Sequence, residues 1–247
     1  MNNELKFLIE TVKSASELIT PEFEVKSKGT FGDLVTNFDL EIEKFIISKM
    51  KKEYPTFDII SEEFNTNGSL TDNCFVIDPI DGTINFANGL PLWGIQVACV
   101  KNGETCAAVI YLPKLSTLYY ADETGAYCND KPIKVNSLSP ERSLYVVDGL
   151  DKMAAMVRMK RFSQHARDIW SEAVIHSWVA DGKLGGVVFK GNSYWDYVPG
   201  QFIVKMAGGY IYNEPYVHIA ANSKEFADIL LKNAGNFEND IALTTND

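Results

Sequence analysis

Apolar and polar positions follow two different periods along this chain of 247 residues. In the first twenty positions, apolar residues recur at helical intervals from Leu5 to Ile19, charged residues fill the other face, and Pro21 follows. This spacing predicts an amphipathic helix over residues 4–20. A second amphipathic helix is predicted at Asp39, which occupies an N-cap position. Further helices are predicted at residues 83–88, 152–160 and 170–179, from Asp196 onward, and near residues 225–232.

Short apolar runs bounded by turn residues predict strands. The run from Cys74 to Ile77 is typical of a buried strand, and because Pro79 cannot donate to a sheet ladder, we expect that strand to end there. The mixture of elements indicates an α+β or α/β fold, either as one large domain or as two small ones that share a sheet edge. Other strands are predicted at residues 57–60, 93–100, 105–111, 117–120, 144–147, 184–189 and 216–220.

The composition narrows the classes of partner and of cellular compartment. With 33 acidic and 23 basic residues the net charge is -10, which argues against nucleic acid or an anionic membrane as a partner. The N-terminus does not resemble a signal peptide, and no apolar run reaches the roughly 18 residues of a membrane span. The four cysteines lack C-x-x-C spacing, so we expect free thiols in a reducing cytoplasm and no zinc site.

The candidate chemistry is concentrated where the buried strand ends, in the sequence FVIDPIDGTINF. Asp78 and Asp81 flank Ile80, and two carboxylates with one backbone carbonyl supply the oxygen ligands that a hard cation prefers. Gly82-Thr83 then begins a short helix whose N–H groups favour an anion. These residues indicate a phosphoryl-transfer site, although an acidic turn would use the same residue types.

Four other acidic residues have a structural interpretation beside a chemical one. Asp39 and Asp196 each stand where a helix begins, and a helix-start aspartate is commonly only a cap. Glu62 and Glu63 follow a short predicted strand, where paired acids are commonly solvated. Local sequence alone therefore leaves the roles of these residues open.

Taken together, four segments resemble the inositol monophosphatase family of magnesium-dependent, lithium-sensitive sugar and nucleotide phosphatases. The match keeps the family's order over essentially the whole length. Ser61 replaces the glycine of the family's Gly-Glu-Glu. The resemblance implies one domain over residues 1–247, with an α+β half at about 1–140 and an α/β half at about 141–247, folded as a layered α-β-α-β-α sandwich. The segments are Asp33-Leu34-Val35-Thr36 through Asp39, Ser61-Glu62-Glu63, Asp78-Pro79-Ile80-Asp81-Gly82-Thr83, and Trp195-Asp196 with Ala207-Gly208-Gly209.

The resemblance also implies a role for each matched residue. It implies two to three Mg²⁺ ions and a homodimer. The matched metal ligands are Glu62, Asp78, the Ile80 carbonyl, Asp81 and Asp196. Gly82 and Thr83 are matched to the groups that hold the phosphate and position the attacking water, and Asp81 and Asp196 also lie at the phosphate. The Thr83–Asp39 pair, with Glu62, is matched to the groups that orient and deprotonate the water. Lys28 is matched to a lysine beside the metals.

Metal-assisted attack by water suits a phosphate monoester, whose uncatalysed hydrolysis is among the slowest biological reactions. Because His165, His176 and His218 lie outside every motif, we expect no phosphoenzyme. We also expect Asp81→Asn to leave the protein folded and to abolish activity.

The leaving-group segment departs from the inositol-specific pattern. Phe189 or Lys190 stands where such members carry a glutamate, and neither accepts a hydroxyl hydrogen bond as a carboxylate does. Glu172 is either the replacement acceptor or an acid on a helix surface. Inositol, sugar, glycerol and nucleotide phosphates therefore all stay open, including a 3′(2′),5′-bisphosphate nucleotide. Two interpretations from other functional classes also stay open. One is a catalytically quiet regulatory or RNA-polymerase-associated member of the family, and the other is a merely structural Ca²⁺/Mg²⁺-binding protein.

Overall fold

The computed structural model describes residues 1–28, 34–149, 152–160 and 162–234. Asp33, the first residue of the first matched segment, lies outside these ranges. The α-helices are α1 Asn3–Ser16, α2 Asn37–Glu53, α3 Thr83–Ala87, α4 Lys152–Met159, α5 Glu172–Ala180, α6 Tyr194–Met206 and α7 Lys224–Ala234. The strands are β1 Val25–Ser27, β2 Leu34–Thr36, β3 Asp58–Ser61, β4 Asn73–Asp81, β5 Gly94–Lys101, β6 Glu104–Leu112, β7 Thr117–Asp122, β8 Gly125–Cys128, β9 Lys131–Pro132, β10 Tyr145–Gly149, β11 Ala166–Arg167, β12 Gly186–Lys190, β13 Tyr210–Glu214 and β14 Val217–Ala221.

Two larger sheets and one small hairpin organise the chain. The first sheet has the order β3-β4-β5-β6-β7-β8-β9, in which only β3 and β4 are parallel neighbours. The second has the order β11-β10-β12-β14-β13 and mixes parallel with antiparallel pairs. β1 and β2 form a separate antiparallel pair.

Alternating side chains on these strands build three apolar layers. Phe75 and Ile77 of β4 pack against α1 and α2 on the outer face of the first sheet. Val76, in between, points to the opposite face, where α5 and α6 fill the space between the two sheets. α4 and α7 cover the far face of the second sheet. The expected α-β-α-β-α layering is therefore confirmed.

The prediction that β4 ends at Pro79 is wrong, because the strand continues to Asp81. β3 pairs with β4 only as far as Ile77, so no partner on that side requires a donor from residue 79. On the other side the pairing with β5 shifts register between Asp78 and Asp81. Proline is tolerated here because the β3 side of β4 is unpaired at this point and the β5 side is bulged. The bulge also turns the side chains of Asp78 and Asp81 toward one place.

Two helix starts differ from the sequence prediction. Thr36, rather than Asp39, is the N-cap of α2; Asp39 is the third helical residue, and its carboxylate accepts a hydrogen bond from the Thr36 N–H at 2.7 Å. This reciprocal capping box uses one carboxylate oxygen of Asp39 and leaves the other for a second partner. Helix α5 begins at Glu172, because Trp170 adopts a left-handed backbone with φ of 58°.

Among the helices of the described residues, none has the length and apolar content needed to span a bilayer.

Candidate active site

The parallel pair β3 and β4 brings the first two acids together. Their carboxyl ends lie at the same edge of the sheet, and the Glu62 N–H donates to the Ile77 carbonyl at 3.3 Å. Glu62 therefore follows β3 directly beside Asp78, which follows Ile77 in β4. Open crevices at the carboxyl ends of strands are the usual place for ligands in sheets covered by helices.

Asp78, Asp81 and Asp196 form a compact cluster, in which each offers a carboxylate oxygen within 4.8 Å of the others. The bulge in β4 supplies the first two, and α6 supplies Asp196 from its first turn. Asp78 and Asp81 are buried and Asp196 is partly buried. Residues separated by more than one hundred positions in the sequence thus meet at one point.

Burial and mutual repulsion dominate the electrostatics of this cluster. Burial raises the pKa of Asp78 and of Asp196 well above the usual range, and neighbouring carboxylates raise both further. Burial also raises the pKa of Asp81 to about 6 and that of Glu62 to about 7. Oδ1 of Asp78 is buried without a hydrogen-bond partner in the described residues. Such an oxygen, in a cluster of repelling carboxylates, fits the ligand set of a hard divalent cation.

The start of α5 holds Asp81 in place. Its Oδ1 accepts hydrogen bonds from the Ser171 hydroxyl and from the Ala173 N–H at 3.0 Å. Its Oδ2 accepts from the Glu172 N–H and from the Gln96 side-chain amide, both at 3.1 Å. Four donors from two elements therefore fix both oxygens of this carboxylate.

Thr83 links the acidic cluster to α2. Its hydroxyl lies 2.9 Å from the Ile80 carbonyl oxygen and 3.2 Å from Oδ1 of Asp39. Asp39 is fully buried, and burial raises its pKa. Gly82 precedes Thr83 with φ of 88°, and a Cβ added there would lie 3.0 Å from the Leu92 carbonyl oxygen and from the Ser171 Cβ. Glycine is therefore required where the chain turns into α3.

Lys28 lies beside Glu62, as the resemblance implied. Its ammonium donates to Oε1 of Glu62 at 2.8 Å and to Oε1 of Glu63 at 2.6 Å. Although burial lowers the pKa of Lys28, these two carboxylates raise it above its ordinary value. Glu63 is thus an ion-pair partner and not a solvated acid. Behind it, the buried Glu43 accepts hydrogen bonds from the Glu63 and Phe64 N–H groups, both at 2.9 Å.

Glu172 occupies neither of the positions that the sequence suggested. It is 5% exposed, so it is not an acid on a helix surface, and both carboxylate oxygens are buried without a hydrogen-bond partner among the described residues. Oε2 lies 3.0 Å from Nδ1 of His176, but that nitrogen is also 3.0 Å from the backbone carbonyl of Glu172 itself, which takes the hydrogen bond. The Glu172 N–H donates to the Asp81 carboxylate, which fixes the first turn of α5 beside that residue.

Phe189 and Lys190, which stand where inositol-specific members carry a glutamate, are also buried. Phe189 is 8% exposed and its ring lies 6.2 Å from that of His218, while Lys190 is 1% exposed. His218 in turn stacks on Tyr197 at 3.6 Å between ring centroids.

Sequence reasoning missed several residues that support the predicted ones. Glu43, Gln96 and Ser171 contact Glu63 or Asp81 directly. Of these three residues, only Glu43 could have been found from the sequence, because it is an acid next to the apolar face of α2. Gln96 and Ser171 carry no signal, because their partners lie 15 and 90 positions away.

Comparisons with known proteins agree with this geometry. The inositol monophosphatase family profile matches residues 1–215. A fructose-1,6-bisphosphatase/inositol-1-monophosphatase of Thermotoga maritima is 33% identical over 206 residues, covering 82% of this chain and 80% of that protein. The Nus factor SuhB of Escherichia coli is 30% identical over 228 residues, or 85% of each chain. The solved Thermotoga maritima IMPase has a TM-score of 0.84 at 30% identity and covers 94% of this chain and 96% of its own. The chain therefore belongs to the inositol monophosphatase family.

Proposed function

We propose that the chain hydrolyses phosphate monoesters at the cluster of Asp78, Asp81 and Asp196. The observation that carries the proposal is that three carboxylate oxygens lie within 4.8 Å of one another, beside Thr83 and Glu62. Family membership supports a metal-dependent phosphatase. Related structures include an IMPase/NADP phosphatase with Mg²⁺ and phosphate, at 21% identity, which supports the fold alone.

Mg²⁺ is the cation we assign, with two to three ions per site. Glu62, Asp78, Asp81, Asp196 and the Ile80 carbonyl would hold it, and all five supply the oxygen atoms that Mg²⁺ prefers. When bound, the cation would offset the charge of the phosphate oxygens and lower the pKa of water. The buried, unpartnered Oδ1 of Asp78 supports this assignment from the structure.

Thr83, Asp39 and Glu62 are the residues that we assign to the attacking water. A hydroxyl has one proton, so Thr83 donates either to Ile80 or to Asp39. If the Ile80 carbonyl is engaged by a cation, the proton goes to Asp39 and a lone pair of Thr83 is left to accept from the water. Glu62 lies beside Asp78 at the carboxyl end of β3, and we assign its carboxylate to receive the proton of that water.

The phosphate itself is assigned to the start of α3. The amides of Gly82 and Thr83 lie there, next to Asp81, and Asp196 faces them from α6. We place Lys28 beside Glu62 at the rim of this site. We find no cysteine or histidine among these residues that could carry the phosphoryl group. We therefore propose that water attacks the phosphorus directly, without a covalent phosphoenzyme.

Family membership supports a phosphatase but does not determine which phosphate ester is the substrate. Relatives carry the names fructose-1,6-bisphosphatase/inositol-1-monophosphatase and inositol-1-monophosphatase. Inositol phosphate is our first candidate on family grounds, with a 3′(2′),5′-bisphosphate nucleotide and other sugar phosphates as alternatives. A regulatory, catalytically quiet role is the second candidate, because relatives at 30–31% identity are named Nus factor SuhB.

Three further properties are proposed from the resemblance: lithium sensitivity, a homodimer and a cytoplasmic location. The four free cysteines support a reducing compartment. We also propose a single domain, which is supported by the central apolar layer that residues of both sheets share.

A steady-state assay tests the proposed function. Purified protein is offered inositol 1-phosphate, glycerol 2-phosphate, fructose 1,6-bisphosphate and adenosine 2′-monophosphate, with Mg²⁺, with excess EDTA, and with Mg²⁺ plus Li⁺. We expect release of phosphate that requires Mg²⁺ and falls with Li⁺. Absence of turnover on every ester, in protein that binds Mg²⁺, would favour the regulatory role.

A further inference from the structure

Trp170 lies in the segment just before helix α5, which contacts the candidate site, and the residue is half exposed. It directly precedes Ser171, whose hydroxyl binds Asp81. Its carbonyl oxygen lies 3.2 Å from the position that a Cβ on Gly82 would occupy. The side chain is 51% exposed, although tryptophan is usually buried in most of its area. A partly exposed aromatic residue therefore belongs to the backbone segment that contacts Asp81 and Gly82.

The backbone at Trp170 is held in a conformation that a large side chain rarely adopts. Its φ is 58°, in the left-handed region that favours glycine. The side-chain amide of Asn85, in α3, fixes the segment by donating to the Ile169 carbonyl at 2.8 Å and to the Leu92 carbonyl at 2.7 Å. Such an outlier persists only where the surroundings enforce it, and such outliers concentrate at functional sites.

Lys152 covers one face of the indole. Its ammonium lies 3.3 Å from the ring centroid and 3.0 Å from Oδ1 of Asp168. The ammonium is attracted to the negative π cloud of that face, and it fixes the ring against rotation. The indole stays half exposed, so the opposite face is open to stack on a second aromatic ring.

The surroundings offer a polyol little to bind. A polyol needs hydrogen-bond acceptors for its hydroxyl groups. In this segment both oxygens of Glu172 are buried, and Phe189 is apolar and stacked in the interior. Among the described residues of this segment, Trp170 offers a flat aromatic surface, and the Asp168 carboxylate near it is already engaged by Lys152.

From this geometry we propose that Trp170 is a specificity-determining residue that stacks on an aromatic ring in the leaving group, such as the base of a nucleoside monophosphate. The inference rests on the proposed phosphatase function and gives it a substrate class. Stacking of a base on an aromatic side chain stabilises binding enough to change affinity by roughly tenfold or more. Trp170 acts on the selection of the ester and not on the attacking water.

The test compares two esters in the Mg²⁺-loaded protein. The measured quantity is the ratio of kcat/KM for adenosine 2′-monophosphate to kcat/KM for glycerol 2-phosphate. We expect Trp170→Gly to lower this ratio by about tenfold or more and Trp170→Phe to restore most of it. Glycine is compatible with the positive φ, so Trp170→Gly is expected to fold.

Tyr216→Gly is the matched control, because Tyr216 is also an aromatic residue with positive φ, 64°, and is 49% exposed. It should leave the ratio unchanged. A binding measurement supplies a second readout: adenosine 2′-monophosphate should quench tryptophan fluorescence in the wild-type protein and less in Trp170→Phe. An unchanged ratio in Trp170→Gly, with glycerol 2-phosphate hydrolysed, overturns the inference alone. Failure of the wild-type protein on both esters counts against the phosphatase function itself.

Discussion

The Thr83 hydroxyl oxygen lies 3.2 Å from Oδ1 of Asp39, a residue 44 positions earlier in the chain. The other oxygen of Asp39 is engaged by the capping box of α2, so the carboxylate is fixed in orientation before any ligand binds. The capping box of α2 and the orientation that we propose for Thr83 therefore depend on the same side chain. This arrangement explains why local sequence suggests only a cap at this position.

Removal of the Thr83 hydroxyl tests its assigned role. We expect Thr83→Ala to lower kcat by about 100-fold, because the water loses the group that orients it. Thr83→Ser keeps the hydroxyl and should retain most of the activity. Calorimetric titration with Mg²⁺ should give similar affinities for both variants, since neither removes a carboxylate. Equal kcat for Thr83→Ala and the wild-type protein would exclude the role.

Ser171 should tune the metal site through Asp81. Its hydroxyl donates to that carboxylate, and loss of a residue that orients a metal ligand commonly costs 10–100-fold in metal affinity. We expect Ser171→Ala to weaken Mg²⁺ binding by about tenfold in calorimetry. Ser177→Ala is the control on the same helix, since its buried hydroxyl has no partner in the described residues. A similar effect of both variants would show that the helix, and not the contact to Asp81, is responsible.

The residues assigned to the metal were predictable from the sequence, whereas their supports were not. Asp78, Ile80 and Asp81 occur together in a short motif, so the local sequence already indicates that their oxygen atoms converge. The contacts of Asp81 with Ser171 and Gln96 depend on how α5 and β5 pack beside β4, and no local pattern encodes that packing. Pro79 misled the prediction because the sequence does not show that β3 ends beside it.

His218 provides a test of acid sensitivity outside the metal cluster. Burial lowers its pKa to about 4, whereas an unfolded histidine titrates near 6.5. Between these values the unfolded chain binds the extra proton, so the free energy of unfolding decreases as the pH falls from about 6.5 to about 4. The contribution of this one group is at most about 3 kcal/mol over that range.

The measurement is urea unfolding at pH 7 and at pH 4.5 for the wild-type protein and for His218→Gln. The difference between the two proteins isolates the histidine, because the carboxylates titrate alike in both. We expect the variant to lose less stability on acidification than the wild-type protein does. Parallel pH dependence in the two proteins would contradict the assignment.

The choice of the variant that removes a metal ligand follows from the contacts of each aspartate. The sequence led us to expect that Asp81→Asn leaves the protein folded, but the contacts of Asp81 revise that expectation. An amide at position 81 would place an N–H group against donors from Ser171, Ala173, Glu172 or Gln96, so this variant is expected to perturb the fold as well as the site. Within the part of the chain that the structure describes, Oδ1 of Asp78 has no such donor. Asp78→Asn therefore removes the charge with little structural change, and Asp228→Asn, on the exposed face of α7, is the control.

The most direct test is the Mg²⁺-dependent release of phosphate by Asp78→Asn, measured on the ester that the wild-type protein hydrolyses fastest. We predict that the variant unfolds at the same urea concentration as the wild-type protein or a higher one, binds Mg²⁺ much more weakly, and retains less than about a hundredth of the activity, because loss of a metal ligand removes the electrostatic stabilisation of the reacting phosphate. Full Mg²⁺-dependent activity in this folded variant would contradict the assignment of the acidic cluster as the catalytic metal site.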